Sequence, residues 1–340
     1  MPSDLNEAAL LEWLIANIEG FSGPLRIEKF PGGQSNPTYK IQTPSGAYVL
    51  RRKPFGNLLP SAHAVDREFR LLSALHPAGF PTPRPIVLCE DAAVIGADFY
   101  IMELVEGRIF RETSMPGLAP AERSAHFDEL IRTLARLHSV DYAAAGLSDF
   151  VRPGNYFARQ VARWSKQYRA SQTDDIAAVE KVMDFLARTI PPQQGDAIIH
   201  GDYRVDNVIF ESERPKIAAV IDWELTTIGD PLADLAYLLM SWVMPPEGPS
   251  SLAGIDFAAT GIPALNAAVE HYCRASGRQA VPNLSWYFAY NLFRLTGIIQ
   301  GVKKRMLDGN ASGANANEVA AQIPILAEAA WAQAQLAGAS

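Results

Sequence analysis

The chain has 340 residues, 48% hydrophobic and 20% charged, which is enough apolar material for a sizeable core and enough length for two lobes. Its net charge of −7 provides no overall field that would gather nucleic acid, so DNA or RNA binding is disfavoured. The two cysteines, Cys89 and Cys273, lie far apart without metal-ligand spacing; neither a disulfide framework nor a zinc site is expected, and a reducing cytoplasm fits best.

The first segment, MPSDLNEAALLEWLIANIEG, lacks a basic leader and a continuous apolar run. Its Leu10, Leu11, Leu14, Ile15 and Ile18 recur at helical spacing and predict an amphipathic helix. LRIEKF, PTYKIQT and AYVLRRK follow, three β-branched and aromatic runs separated by PGGQSN and PSG turns, and predict an antiparallel meander. Residues 61–75 predict a helix with Val65, Phe69, Leu72 and Leu75 on one face, before PTPRPIVLCED and DFYIMEL return to strand character. Gly107, in VEGR, marks a chain turn.

Beyond it, helical patterns occupy 119–138, 154–169, 174–188, 230–243, 262–276 and 283–307. Among them AIIH, NVIF and KIAAVID read as short strands, and the Ala/Gly/Asn-rich stretch 309–317 reads as a loop. The apolar stretch AYLLMSWVM is about half of the roughly 20 residues that cross a bilayer as a helix, so no membrane span is expected. The fold class is α+β, with a small N-terminal sheet lobe over residues 1–104 and a larger, mainly helical lobe over 105–340.

Residues 198–210, IIHGDYRVDNVIF, place His200, Asp202, Arg204, Asp206 and Asn207 between two strands. With Asp222 at the end of KIAAVID, this spacing suits phosphoryl transfer. Such chemistry needs one carboxylate to orient a hydroxyl and accept its proton, here Asp202, and hard oxygen ligands for Mg2+, here Asn207 and Asp222. A lone His-Gly-Asp or strand-end Asp is more often a turn or cap residue, so the combination carries the reading. Asp230, ahead of Pro231, is expected to be a helix cap, and Asp206 a loop-structural residue. Asp234, one turn further on, either ties its helix to the catalytic loop or is a solvated carboxylate.

HGDYRVDN resembles the catalytic loop of protein kinases, with Gly where they carry Arg, and Asp222 in VIDWE resembles the Asp of Asp-Phe-Gly. The form with Gly, together with GDPLADLAY, identifies the chain as a member of the aminoglycoside phosphotransferase superfamily, which includes choline, homoserine and fructosamine kinases. The resemblance covers nearly the whole chain and implies a bilobal protein-kinase-like fold that uses ATP and Mg2+. It assigns Gly33, Gln34, Ser35 and Asn36 of PGGQSN to a loop over the phosphates, although two glycines between strands also make an ordinary hairpin. It places Arg51 where protein kinases carry a strand lysine, with Lys53 on the same strand face as the alternative and a solvated basic edge as the bland reading. Glu68 would pair with that cation or be an exposed helix charge, and the backbone groups of Glu103 and Val105 would meet the adenine edge.

Within the superfamily, YVLRRKPFGNLLPSAHAVDREFRLL, HGDYRVDNVIF and FRLTGIIQGVKKRMLDGNASG closely resemble the kinase-like domains fused to acyl-CoA dehydrogenases. That group is associated with phosphorylating 4-hydroxyacyl-CoA thioesters, which implies a small-molecule hydroxyacyl-CoA substrate and a functional link to a separate acyl-CoA dehydrogenase. Arg294, inside an apolar helical pattern, and Arg204 are the candidate substrate or phosphate contacts, while Lys303, Lys304 and Arg305 read as a charge cluster at a helix C-terminus. An aminoglycoside or other small-alcohol kinase is the rival, but no long acidic run in the terminal helices would attract a polycation. A non-catalytic nucleotide-binding scaffold would not need Asp202, Asn207 and Asp222 together.

Overall fold

The computed structural model describes residues 5–30, 36–55, 64–308 and 316–340. The chain divides into two units: Met1–Arg108 with Ala143–Leu147 and Val208–Leu225, and Ile109–Tyr142 with Ser148–Asn207 and Thr226–Ser340. Neither unit is one continuous piece of sequence. Asp222 belongs to the first, Asp202 and Asn207 to the second.

In chain order the first unit contains α1 (Glu7–Asn17), β1 (Arg26–Lys29), β2 (Thr38–Thr43), β3 (Gly46–Arg52), α2 (Val65–Leu75), β4 (Pro85–Cys89), α3 (Ala92–Ile95) and β5 (Phe99–Glu103). The strands form one antiparallel sheet in the order β1-β2-β3-β5-β4, so the expected meander supplies its first three strands. Tyr39 and Ile41 alternate with polar neighbours on β2, which puts both on the face that meets Leu10 and Leu14 of α1. Leu50, Phe99 and Ile101 complete that core, and Trp13 meets the Phe99 ring edge-on at 5.1 Å. Each such side chain contributes about 1.5–3 kcal/mol through burial. α2 carries Val65, Leu71, Leu72 and Leu75 inward; of its expected start, residues 61–63 lie outside the described residues.

The second unit continues with α4 (Pro120–His138), α5 (Tyr156–Ser171), α6 (Ala177–Arg188) and β6 (Ala197–Ile199). β7 (Val208–Phe210) and β8 (Ile217–Val220) return to the first unit; β9 (Thr227–Gly229), α7 (Leu232–Leu239), α8 (Phe257–Thr260), α9 (Leu265–Ser276), α10 (Leu284–Leu307) and α11 (Ala316–Leu336) belong to the second. The fold is thus α+β, with a five-stranded antiparallel sheet and a mainly helical remainder, as expected. The pattern read over 230–243 is an α-helix only to Leu239, followed by a 3-10 turn over Met240–Trp242. Four elements went unread: the one-turn helices α3 and α8, β9 and α11. β9 is only three residues long, and α11 is Ala-rich, with Pro324 inside it, so its apolar stripe is weak.

β6 and β7 flank the polar loop yet do not pair with each other: β6 pairs with β9, and β7 with β8. The loop is therefore no hairpin turn. Near it, Arg108 and Phe210 exchange backbone hydrogen bonds of 2.7 and 2.9 Å. Gly107 makes this bridge possible, because a Cβ there would lie 2.2 Å from the Phe210 carbonyl oxygen. Gly107→Ala is expected to cost about 1–3 kcal/mol through this overpacking. A urea midpoint equal to that of the wild type would contradict the bridge.

Candidate active site

The polar loop is built by alternation. His200, Tyr203 and Val205 are buried, while Asp202, Arg204 and Asp206 reach outward between them. The buried Tyr203 hydroxyl donates to the Leu130 carbonyl at 2.9 Å and anchors the loop to α4. Gly201 has φ +85°, a left-handed conformation that strains any side chain, which is why Gly follows His here.

Both backbone groups of Gly201 are held. Its N–H donates to Asp234 Oδ1 at 2.9 Å, and its carbonyl accepts from Arg294 Nη2 at 2.6 Å. Asp234 also accepts the His200 N–H at 2.6 Å and lies 3.5 Å from His138 Nε2, whose Nδ1 meets the Tyr272 hydroxyl at 2.7 Å. Of the two readings of Asp234, the structure shows the tie to the loop, with the residue 1% exposed. Asp234→Ala would orphan two buried N–H groups, so a loss of about 2–5 kcal/mol is expected. Chemical denaturation of that variant checks it; a loss below half a kcal/mol would show the tie to be dispensable.

Asp230 accepts from Leu232 N at 2.9 Å and so caps α7. It also accepts from Gln194 N at 2.7 Å, and burial pushes its carboxyl up despite these donors.

Asp202, with its side chain 24% exposed, accepts from Asn207 Nδ2 at 2.9 Å, and the same nitrogen reaches the Asp202 carbonyl at 2.9 Å. Fastening the amide nitrogen to Asp202 points the Asn207 Oδ1 elsewhere, as an oxygen ligand needs. Arg204 pairs with Asp206 at 2.6 Å and lies 3.9 Å from Asp202. Tyr237, on α7, feels the Asp202 charge: burial first, then that charge, pushes its phenol up.

Sequence reasoning missed Tyr237, although it lies on the α7 turn after Asp234. Arg294 departs from its expected place among substrate phosphates: it is 7% exposed, behind the loop, with its guanidinium over the rings of Tyr237 (4.9 Å) and Trp164 (5.5 Å).

The first unit gathers a second polar group. Arg51 Nε lies 2.8 Å from Glu68 Oε2, and Nη2 lies 2.7 Å from Asp222 Oδ1 and 3.4 Å from Glu224 Oε2. Burial alone would lower the guanidinium pKa, but the Glu68, Asp222 and Glu224 carboxylates hold it well above the usual range. Glu68 is 3% exposed and also accepts from Asn36 Nδ2 at 2.9 Å and the Tyr100 hydroxyl at 3.0 Å. Burial pushes its carboxyl up, against the pull of Arg51. Lys53 is engaged elsewhere, with Asp98 at 2.6 Å and Asp66 at 3.7 Å, so Arg51 is the strand cation that meets Glu68.

Asp222 follows β8 with φ +67°, an unusual conformation for a residue with a side chain, and its own side chain is 37% exposed. Three carboxylates around one guanidinium leave surplus negative charge. A divalent cation with phosphate ligands fits such a surplus, since Mg2+ takes one or two protein carboxylates and keeps water or phosphate oxygens for the rest.

Gly33, Gln34 and Ser35 lie outside the described residues, and Asn36 holds Glu68. Glu103 N–H donates to the Arg84 carbonyl at 3.0 Å, so of its backbone groups the carbonyl is the one to consider for an adenine edge. Val105 follows β5 in irregular backbone, where its N–H and C=O are not part of a strand ladder.

Residues 26–271 match the model of the phosphotransferase enzyme family. The mouse protein named acyl-CoA dehydrogenase family member 10 is 44% identical over 313 residues, covering 91% of this chain. The chain spans only 29% of that relative and under half of the related family member 11 proteins of chicken and human. A solved Ralstonia eutropha protein, described as an aminoglycoside phosphotransferase, is 43% identical with a TM-score of 0.88, covering 98% of this chain and 99% of its own. A spectinomycin phosphotransferase solved with ADP and spectinomycin shares the fold at 15% identity, with a TM-score of 0.63 and coverage of 98% and 100%.

Proposed function

The chain belongs to the phosphotransferase enzyme family, and we propose that it transfers a phosphoryl group from ATP, with Mg2+, to a hydroxyl acceptor, a hydroxyacyl-CoA such as a 4-hydroxyacyl-CoA. The observation that carries the chemistry is the Asn207 amide fastened to the carboxylate of a partly exposed Asp202. It leaves Asp202 oriented to take a proton and Asn207 with an oxygen to offer a cation.

Asp202 receives the hydroxyl proton as the acceptor oxygen bonds to the γ-phosphorus and the bond from phosphorus to the ADP oxygen breaks. Asn207 and Asp222 would hold Mg2+, which when bound neutralises charge on the phosphates. Arg51, oriented by Glu68, meets phosphate oxygens, and the Val105 backbone meets the adenine edge. Arg294 and Asp234 keep the Gly201 peptide fixed, so that Asp202 is preorganised.

The acyl-CoA acceptor is supported by the names of the mammalian and avian relatives, which also suggest an acyl-CoA dehydrogenase as functional partner. Two free, buried cysteines suit a reducing, cytosolic setting. Among the described residues no helix is long and apolar enough to cross a membrane.

A second reading, phosphorylation of an aminoglycoside, draws on the name of the Ralstonia protein. ADP release with a panel of acceptors tests the choice. Stimulation by 4-hydroxyvaleryl-CoA but not kanamycin is expected; the reverse would favour the antibiotic class.

A further inference from the structure

Within the second unit a cavity of about 200 Å3 opens beside the catalytic loop, lined by Arg204, Val205 and Asp206 of the loop and by Tyr237, whose phenol feels the Asp202 charge. Its inner wall is apolar: Leu238, Met240, Met244 and Ile299 are buried there. The outward part is cationic, where Arg111 and Arg204 are both exposed. Ligand pockets that enclose a drug-sized molecule measure about 300–1,000 Å3, so this one holds a small acceptor or only the hydroxyl-bearing end of a larger one.

The two arginines differ. Arg204 is paired with Asp206 at 2.6 Å and lies 3.9 Å from Asp202. Arg111 makes no ion pair or hydrogen bond among the described residues, and its charge acts on Asp206 only as a minor offset to the burial that pushes that carboxyl up. The lining therefore holds two guanidinium groups against the Asp206 carboxylate, with Arg111 as the cation left over. A polycation meets repulsion at such a rim, whereas an aliphatic anion finds a wall for its chain and a forked donor for its charge.

Resting on the kinase reading for its chemistry, the geometry points to a specificity role: we propose that Arg111 recognises an anionic group on the acceptor while Met240, Met244 and Ile299 hold its aliphatic chain. The acceptor class is then an aliphatic alcohol bearing an anion. The anion comes either from the carboxylate of a free hydroxy acid or from the phosphates of a thioester carrier.

The test combines calorimetric binding with steady-state ADP release. It uses the full chain and its Arg111→Ala and Arg111→Lys variants. The probes are 4-hydroxyvaleryl-CoA, 4-hydroxyvalerate, neutral 1,4-pentanediol and kanamycin. At least one anionic probe should bind the wild type more tightly than the diol and weaken roughly 10- to 100-fold in Arg111→Ala. Arg111→Lys should fall between, because it keeps the charge and loses the fork.

In turnover the change should appear in the acceptor KM, with the KM for ATP unmoved. An effect on both anionic probes assigns the carboxylate as sufficient, and an effect on the thioester alone assigns the carrier phosphates. Equal binding of the diol and the anions overturns the role, as do strongest binding of kanamycin and an Arg111→Ala affinity within twofold of the wild type. Binding that follows Arg111 without transfer to any acceptor would instead sink the kinase reading and leave the anion site standing.

Discussion

Asp202→Asn is expected to lower kcat by about 10²–10⁴-fold, the range associated with a general base, while ATP binds as in the wild type. Asn has nearly the shape of Asp and keeps an oxygen to accept the Asn207 amide, which lies 2.9 Å from Asp202 Oδ2. The loop should therefore stay in place, since its anchors are the Tyr203 hydroxyl on Leu130 and the Gly201 peptide between Asp234 and Arg294. What would be lost is the proposed acceptor of the hydroxyl proton. Nucleotide titration separates the two quantities, and a kcat within a few-fold of the wild type would remove Asp202 from the base position.

The second large effect concerns Asp222, where a choice of variant matters. Its φ of +67° costs a residue with a Cβ, but Asp and Asn tolerate that conformation better than other non-glycine residues. Asp222→Asn therefore removes the charge with little backbone penalty, whereas Asp222→Ala adds strain to the same loss.

We expect Asp222→Asn to lower kcat by about 10²–10³-fold, the size found for loss of one preorganised electrostatic group. Any Mg2+ dependence of nucleotide affinity in the wild type should flatten as well. The variant also frees the Arg51 guanidinium from one of its three carboxylates. Nucleotide binding without magnesium should then hold or tighten while binding with magnesium weakens. Parallel weakening in both conditions would assign Asp222 a structural role instead.

The local sequence carried much of this arrangement. The loop residues and the helix cap follow from residue type and short spacing, and the five strands of one sheet follow from β-branched and aromatic runs bounded by turn signals. A left-handed φ at Gly201 is the physical content of His-Gly-Asp, visible in the sequence only as a Gly.

The rest depends on contacts between distant segments. Arg51 and Lys53 look equivalent in the run AYVLRRK until Glu68 engages the first and Asp98 and Asp66 the second. Arg294 read as a possible phosphate contact because its helical pattern was apolar; the same burial turns it onto the Gly201 carbonyl. Tyr237 and Arg111 carry no local signal, since each acquires its position only when α7 and the segment before α4 line one cavity with the loop. The pairing of β6 with β9 was hidden because three-residue strands have too little pattern to choose a partner.

The proposed reaction is phosphoryl transfer from ATP to an acceptor hydroxyl with Asp202 as base. Mass spectrometry of 4-hydroxyvaleryl-CoA incubated with the protein, ATP and Mg2+ tests it most directly, with the Asp202→Asn protein as control. A mass gain of one phosphoryl group is expected with the wild type alone. An unmodified thioester in the presence of bound ATP would contradict the acyl-CoA assignment, and an equal gain with Asp202→Asn would contradict the base.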